Sequence, residues 1–157
     1  MENTTNSKRN ERGKMTEQPN ETPDAMAELK ANADREPIAS FLKMQLVELS
    51  EGHARVAIKL APEYQNFNGL IFGGMIMAVA DQAFAYASNS LVQPSIASQF
   101  NIHFVSQASV GDELIAECWV VKSGRRVGIS EITVTNQNGK IIAKATGTTI
   151  PITRLNH

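Results

Sequence analysis

The residues whose types are best suited to catalysis lie in one stretch, from Asn66 to Asn89, which reads NFNGLIFGGMIMAVADQAFAYASN. It begins as a polar loop, passes through Gly73 and Gly74, and becomes the most apolar run of the chain, interrupted by one carboxylate, Asp81. Burying an ionised carboxylate is costly unless its charge is compensated. The sequence therefore predicts a specific role for Asp81 within an otherwise apolar helix.

The glycine pair lies where the loop is predicted to become this helix. A helix start offers unpaired backbone N–H groups and the positive end of the helix dipole, and glycine lets a ligand approach that backbone closely. Such N–H groups can stabilise charge developing on a carbonyl oxygen, while Asp81 could activate water or attack the same carbonyl. The alternative is that Gly73 and Gly74 form a simple turn and Asp81 caps a loop or pairs with an arginine.

The spacing of these groups predicts a dimer. Asp81 lies about 10.5 Å from Gly74 along a helix that rises 1.5 Å per residue, too far for both groups to serve one reacting carbon. Two antiparallel copies of the helix would bring Gly74 of one towards Asp81 of the other. A stripe of small residues would allow the helices to approach closely; it comprises Gly74, Ala78, Ala85 and Ser88.

Strands are predicted around this helix from alternating apolar and polar residues. They span 45–50, 53–60, 95–105, 114–122, 128–136 and 141–151. Glycine-containing hairpin turns are predicted at 51–52, 111–112, 123–124 and 138–139. Hairpins imply antiparallel pairing, so we expect an α+β domain in which one sheet wraps around one long helix. Its uncovered sheet edges and helix face favour self-association.

The N-terminal part differs in composition from the rest. Residues 1–22 are almost free of apolar side chains and their charges nearly cancel, which predicts a disordered tail. Short helices are predicted over 23–34 and 37–44, each with a proline in its first turn. We therefore expect a disordered or weakly helical tail over 1–35 and the folded domain over 36–157.

Length and composition exclude several classes of protein. The 157 residues suffice for one domain with a core, and the formal net charge of −1 gives no field that attracts nucleic acid or an anionic membrane. Apolar runs reach about 12 residues, short of the ~20 needed to span a membrane, and the polar N-terminus is not a signal peptide. A single cysteine, Cys118, excludes a disulfide framework and a cysteine-based zinc site. We expect a cytoplasmic protein without a metal.

The segment from 66 to 77, with the pattern NxNGxIFGGxIM, and Asp81 beyond it resemble the motif of hotdog-fold acyl-CoA thioesterases. The order of predicted elements resembles that family too. FAYASNS (84–90), the ASxxxI spacing (97–102) and GDELIAE (111–117) resemble the phenylacetate-degradation type of thioesterase, whereas NGLIFGGMIM resembles the bacterial and cytosolic acyl-CoA hydrolases. The resemblance covers about residues 36–151.

The resemblance implies roles for individual residues. Asp81 falls at the position of the catalytic carboxylate, as general base or nucleophile, and Asn66 at that of the loop asparagine that places the water or the carbonyl. Gly73, with Gly74, falls at the backbone donor to the thioester oxygen. Phe72 stands where phenylacetate-type enzymes carry histidine but acyl-CoA hydrolases carry phenylalanine, so the resemblance implies catalysis without a histidine. The apolar residues expected around Asp81 would raise its pKa; these are Phe72, Met75, Met77 and Phe84.

The remaining candidates concern substrate binding. Phe72 and Asn68 belong to the motif loop. Ala97 stands where some relatives carry a serine, and the adjacent Ser98 is a candidate although strand alternation directs it to the other face. Arg125 and Arg126, beside a predicted hairpin, are candidates for the phosphates of coenzyme A, although two arginines in a turn are also typical of a solvated loop.

The sequence thus predicts a homodimer or homotetramer that hydrolyses an acyl-CoA and needs no cofactor beyond the coenzyme A of its substrate. Two alternatives stay open. One is a hydratase or dehydratase for acyl thioesters, which usually needs a histidine–acid pair in the central element. The sequence has no histidine in this element, since none occurs between His53 and His103. The other is a non-catalytic acyl-CoA-binding or regulatory module.

Overall fold

The structure, a computed structural model, describes residues 24–152. Two short helices come first, α1 (Ala25–Ala33) and α2 (Pro37–Phe41), and a long helix, α3 (Gly73–Asn89), follows the first two strands. The strands are β1 (Gln45–Ser50), β2 (His53–Lys59), β3 (Ser95–Phe104), β4 (Glu113–Ser123), β5 (Gly128–Asn136) and β6 (Ile141–Pro151). The tail predicted over 1–22 and the C-terminal residues 153–157 lie outside the described residues.

The six strands form one antiparallel sheet in the order β1-β2-β4-β5-β6-β3, and α3 packs against it. This confirms the predicted α+β hotdog fold, and every predicted strand is present with ends shifted by at most one residue. No helix within residues 24–152 has the length and apolarity required to cross a membrane.

The hairpin predicted at 111–112 is wrong, because the strands on either side of this turn do not pair with each other. The glycine at 111 does adopt a left-handed φ of 90°, but the turn does not join two paired strands. β3 pairs with β6 at one edge of the sheet, and β4 pairs with β2. The chain reaches β4 because the connection after β3 binds the end of β2: Leu60 N–H donates to Asp112 O and Gly111 N–H donates to Leu60 O, both at 2.8 Å.

The face of α3 that meets the sheet is apolar. Its fully buried side chains include Val79, Ala83 and Phe84, and β6 makes room for the largest of them at Gly147. A Cβ added at Gly147 would lie 2.5–2.7 Å from three atoms of the Phe84 ring. The absence of a side chain at Gly147 therefore sets how closely α3 can lie on the sheet.

A second face of α3 is covered by the N-terminal segment. Leu29 of α1 is buried in the core. The carboxylate of Glu36 accepts hydrogen bonds from Gln82 Nε2 at 2.7 Å and from the Tyr86 hydroxyl at 2.5 Å. Burial, and then this hydrogen bond to Glu36, raises the pKa of Tyr86 well above its ordinary value.

The second predicted helix is shorter than expected. It was predicted to continue to Met44, but α2 ends at Phe41. Lys43 adopts a left-handed φ of 56°, which cannot continue a right-handed helix. The chain turns there, and Met44, the residue before β1, is buried.

Candidate active site

The start of α3 carries two unused backbone donors. Met75 N–H donates to Phe72 O at 2.9 Å, and Phe72, the residue before the helix, provides no side-chain cap. Within residues 24–152, the N–H groups of Gly73 and Gly74 have no acceptor. They therefore remain available to a ligand oxygen at the positive end of the helix dipole.

The loop before the helix is organised by Asn66. Its side-chain Oδ1 accepts from the backbone N–H groups of Asn68 at 2.9 Å and of Leu70 at 3.2 Å. These bonds leave the Asn66 Nδ2 donor without a partner among the described residues. Asn66 and Gly73 line the same groove, which has a volume of about 350 Å³. Two residues with an unused donor, Asn66 and Gly73, thus border the same groove, while the side chain of Asn68 is exposed.

Asp81 lies on the face of α3 that residues 24–152 leave open. The exposed residues of the helix are Met77 and Asp81, and Ala78 and Ala85 beside them are half-buried. The prediction of a buried carboxylate is therefore wrong for the single chain, because α1, α2 and the sheet cover the other faces. Partial burial by its neighbours still raises the pKa of Asp81, as expected.

Two of the residues predicted near Asp81 need correction. Phe84 is expected in the apolar surround of the carboxylate, but its ring is buried against Gly147 in the core. Ser88 is expected in the stripe of small residues, but it is buried as well. Seven residues place Ser88 almost in line with Asp81 around the helix, but it lies near the end of α3, where it lines a small cavity with Ser123 and Gly124 of the β4–β5 hairpin. The open stripe consists of Gly74, Ala78 and Ala85, with Met77 and Asp81 between them.

The sequence-predicted residues fall into two separate groups. Asn66, Asn68, Phe72, Gly73 and Gly74 lie together at the start of α3. Asp81 lies about 10.5 Å further along the helix axis. The structure therefore does not bring the carboxylate and the backbone donors together within one chain.

Ser98, like Asp81, lies away from the start of α3. It occupies an irregularity in the pairing of β3 with β6, and its hydroxyl donates to Thr148 O at 3.2 Å. Phe104, at the other end of β3, packs on Gly73. Six residues of strand place Ser98 about 20 Å from that contact, so Ser98 cannot serve the donors of its own chain.

Arg125 and Arg126 are exposed in the β4–β5 hairpin. The base of this hairpin, at Ser123 and Gly124, lines a small cavity together with Ser88 near the end of α3. The 17 residues of α3 place its end about 24 Å from its start. The two arginines are therefore remote from the glycine pair of their own chain.

His53 lies away from this region. His53 Nε2 lies 2.9 Å from Glu117 Oε1, and its ring stacks on Trp119 at a centroid distance of 3.9 Å. Glu117 alternates along β4 with Ala116 and Cys118, which are buried towards α3, so the pair lies on the opposite face of the sheet. In residues 24–152 no cluster of His, Cys, Asp and Glu could hold a metal ion.

Comparison with known proteins identifies the family. The family model of the Thioesterase superfamily matches residues 68–143. Acyl-coenzyme A thioesterase PaaI of Escherichia coli is 31% identical over 110 residues, which cover 70% of this chain and 79% of that protein. The chain belongs to the thioesterase superfamily. A putative esterase of Archaeoglobus fulgidus is 34% identical over 69% of this chain and 70% of its own length.

Solved structures of similar proteins have the same fold. The PaaI protein from the phenylacetic acid degradation operon of E. coli superposes with a TM-score of 0.78 at 29% identity, over 82% of this chain and 94% of that one. A Streptococcus mutans protein bound to acetyl-CoA superposes with a TM-score of 0.68 at 27% identity, over 72% and 91%. The predicted resemblance to hotdog-fold thioesterases of the phenylacetate-degradation type is confirmed.

Sequence reasoning missed Phe104 at this candidate site. Its ring lies 3.3–3.7 Å from the position of a Cβ at Gly73, although 31 positions separate the two residues in the chain. No local pattern indicates this contact, because it depends on β3 running back along α3 to the start of the helix.

Proposed function

We propose that this protein hydrolyses acyl-CoA thioesters in a homodimer whose two active sites are each shared between subunits. Membership of the thioesterase superfamily and the similarity to acyl-coenzyme A thioesterase PaaI support the reaction. The bound acetyl-CoA of the S. mutans neighbour supports an acyl-CoA as substrate. The observation that carries the shared site is the separation of Asp81 from the free N–H groups at the start of its own helix.

Two surfaces that residues 24–152 leave uncovered support this assembly. β3 is an edge strand of 10 residues whose side chains are mostly exposed, and such an edge is a template for pairing with another chain. The open stripe of α3 has small residues on either side of Asp81. Antiparallel pairing of two β3 strands and two α3 helices would cover both surfaces and bring the start of one helix towards Asp81 of the partner subunit.

In this arrangement each site has a complete set of groups. One subunit supplies the Gly73 N–H for the thioester oxygen and Asn66 Nδ2 to hold the carbonyl or the water. The partner supplies Asp81 and Ser98, and its Arg125 and Arg126 lie at the end of α3 that approaches the first subunit's glycines. Assembly into a tetramer and a cytoplasmic location remain predictions.

The chemistry follows from these positions. Asp81 removes a proton from water as the water oxygen attacks the carbonyl carbon, and the Gly73 N–H stabilises the oxyanion. The oxyanion then collapses, the C–S bond breaks, and coenzyme A leaves as a thiolate, which accepts a proton. Direct attack by Asp81 would instead form a mixed anhydride that water hydrolyses to the same acid. Thiolate is a good leaving group, so neither route needs a histidine.

The test is release of coenzyme A from aryl, short, medium and long acyl-CoAs by the wild type and by Asp81→Asn. We expect Asp81→Asn to lose about 10²- to 10⁴-fold in kcat, the usual contribution of a general base. Wild-type activity should increase with pH as Asp81 ionises, and the midpoint should lie above the ordinary aspartate pKa of 3.8 because burial raises it.

Glu131→Gln is the matched control, because this exposed glutamate alternates with residues of β5 that are buried towards α3; its activity should equal that of the wild type. Absence of hydrolysis with every acyl-CoA would contradict the proposed reaction. Full activity of Asp81→Asn would contradict the proposed role of the carboxylate.

A further inference from the structure

Each glycine at the start of α3 has an aromatic ring packed against it. A Cβ added at Gly74 would overlap the ring of Phe72, with Cδ1 at 2.8 Å and Cζ at 2.9 Å. A Cβ added at Gly73 would lie 3.3 Å from Cζ of Phe104. The two glycines that carry the free N–H groups therefore each lie against a phenylalanine ring, one from the preceding loop and one from β3.

Both rings remain largely open to solvent. Phe72 is 56% exposed and Phe104 is 54% exposed. Each ring thus contacts a glycine with one part and leaves apolar surface beside the N–H groups. A ligand seated on those N–H groups would cover this surface, and exclusion of water would strengthen the hydrogen bonds to its oxygen.

The grooves on the two sides of the glycines differ in character. The groove beside Phe104 is mainly aliphatic, with Ile71, Ile76 and Val105 in its lining. The groove beside Phe72 has a volume of about 290 Å³ and includes Glu63 and Gln65. Asn66 lines both grooves, so they meet at the start of α3.

We propose that Phe72 and Phe104 form an aromatic bracket around the thioester, with the acyl group in the Phe104 groove and the pantetheine arm in the Phe72 groove. This inference rests on the proposed thioesterase function. The acyl group is apolar and suits the aliphatic groove, whereas the amides of pantetheine need the polar partners of the other groove. A methyl group at Gly74 would displace the Phe72 ring, and one at Gly73 would press on the Phe104 ring.

The steric part is tested with Gly74→Ala, Phe72→Ala and the double variant. The probe is a non-hydrolysable acyl-CoA thioether, and its affinity is measured by calorimetry. We expect each single variant to weaken binding about tenfold through loss of the aromatic contact. In the Phe72→Ala background, Gly74→Ala should change affinity less than about twofold, because the ring that it displaces is already absent. An equal effect of Gly74→Ala in both backgrounds would overturn the inference.

The assignment of the two grooves has its own readout. Phe104→Ala should change the ratio of kcat/KM between aryl and acetyl substrates by about tenfold, with little change in affinity for free coenzyme A. Phe72→Ala should lower the affinity for free coenzyme A and for every acyl-CoA by the same factor. The assignment would be overturned if Phe104→Ala lowered kcat/KM equally for aryl and acetyl substrates. It would also be overturned if Phe72→Ala changed the preference between these acyl groups.

Controls separate this inference from the proposed function. Phe41→Ala removes an exposed ring of α2 (78% exposed) and should leave binding unchanged. Thermal unfolding should be similar in Gly74→Ala and the wild type, because the exposed Phe72 ring can rotate away from the new methyl group. If the wild type binds the thioether but hydrolyses no acyl-CoA, the proposed function is contradicted. The thioether affinities of the variants then still test the aromatic bracket. Absence of binding by the wild type would overturn both.

Discussion

Asn66 combines structural and chemical roles in one side chain. Its Oδ1 accepts hydrogen bonds from two backbone N–H groups of the loop, those of Asn68 and Leu70. Its Nδ2 has no acceptor among the described residues. The acceptor half holds the loop that leads into Gly73. The donor half is the part that a substrate carbonyl or a water molecule can use.

These two roles can be separated by substitution. Asn66→Asp keeps an oxygen for both loop N–H groups but removes the donor, so we expect thermal stability close to that of the wild type and a loss in kcat of about 10- to 100-fold. Asn66→Ala removes both halves and should also lower the unfolding free energy by about 1 kcal/mol. Activity assays and thermal unfolding of the two variants test this. Wild-type activity in Asn66→Asp would show that the Nδ2 donor is not used.

At the scale of elements, the position of α3 on the sheet depends on the contact between Phe84 and Gly147. Phe84 is only 1% exposed, so its ring cannot rotate into solvent when a methyl group is added at Gly147. This distinguishes Gly147 from Gly74, whose neighbouring ring is exposed.

We therefore expect Gly147→Ala to lower the unfolding free energy by about 1–3 kcal/mol, the usual cost of overpacking a core. Replacement of Phe84 by leucine in the same chain should recover part of that loss, because the smaller side chain leaves space for the methyl group. Urea denaturation of the single and double variants measures the coupling. Additive losses in the double variant would contradict the steric explanation.

Sequence patterns predicted the elements well but not all of their neighbours. Alternation in 141–151 predicted β6, and the loop-to-helix transition at Gly73 predicted the start of α3. The turn at Gly111 was predicted to pair β3 with β4, but β3 lies at the sheet edge beside β6. Glycine at a turn sets the local direction of the chain, whereas strand pairing depends on contacts distant in sequence. For the same reason the contact of Phe104 with Gly73 could not be predicted.

The whole molecule explains why the candidate site looks incomplete in one chain. Asn66, Gly73 and Gly74 lie at the start of α3. Asp81 is about 10.5 Å further along the axis, and Ser98 lies in the first half of β3, away from the end that contacts Gly73. The spacing of Gly74 and Asp81 predicted this separation before the fold was known. Which face of α3 stays open could not be predicted from spacing, because α1 and Glu36 cover the face that carries Gln82 and Tyr86.

The most direct test of the shared site is complementation between two inactive subunits. A heterodimer of Asp81→Asn and Asn66→Asp chains, isolated with two different affinity tags, contains one site with both substitutions and one site with neither. We predict that this heterodimer regains about half of the wild-type activity per dimer, whereas each parent homodimer stays impaired. Activity no higher than the mean of the two parent homodimers would contradict the shared site and assign both residues to a site within one chain.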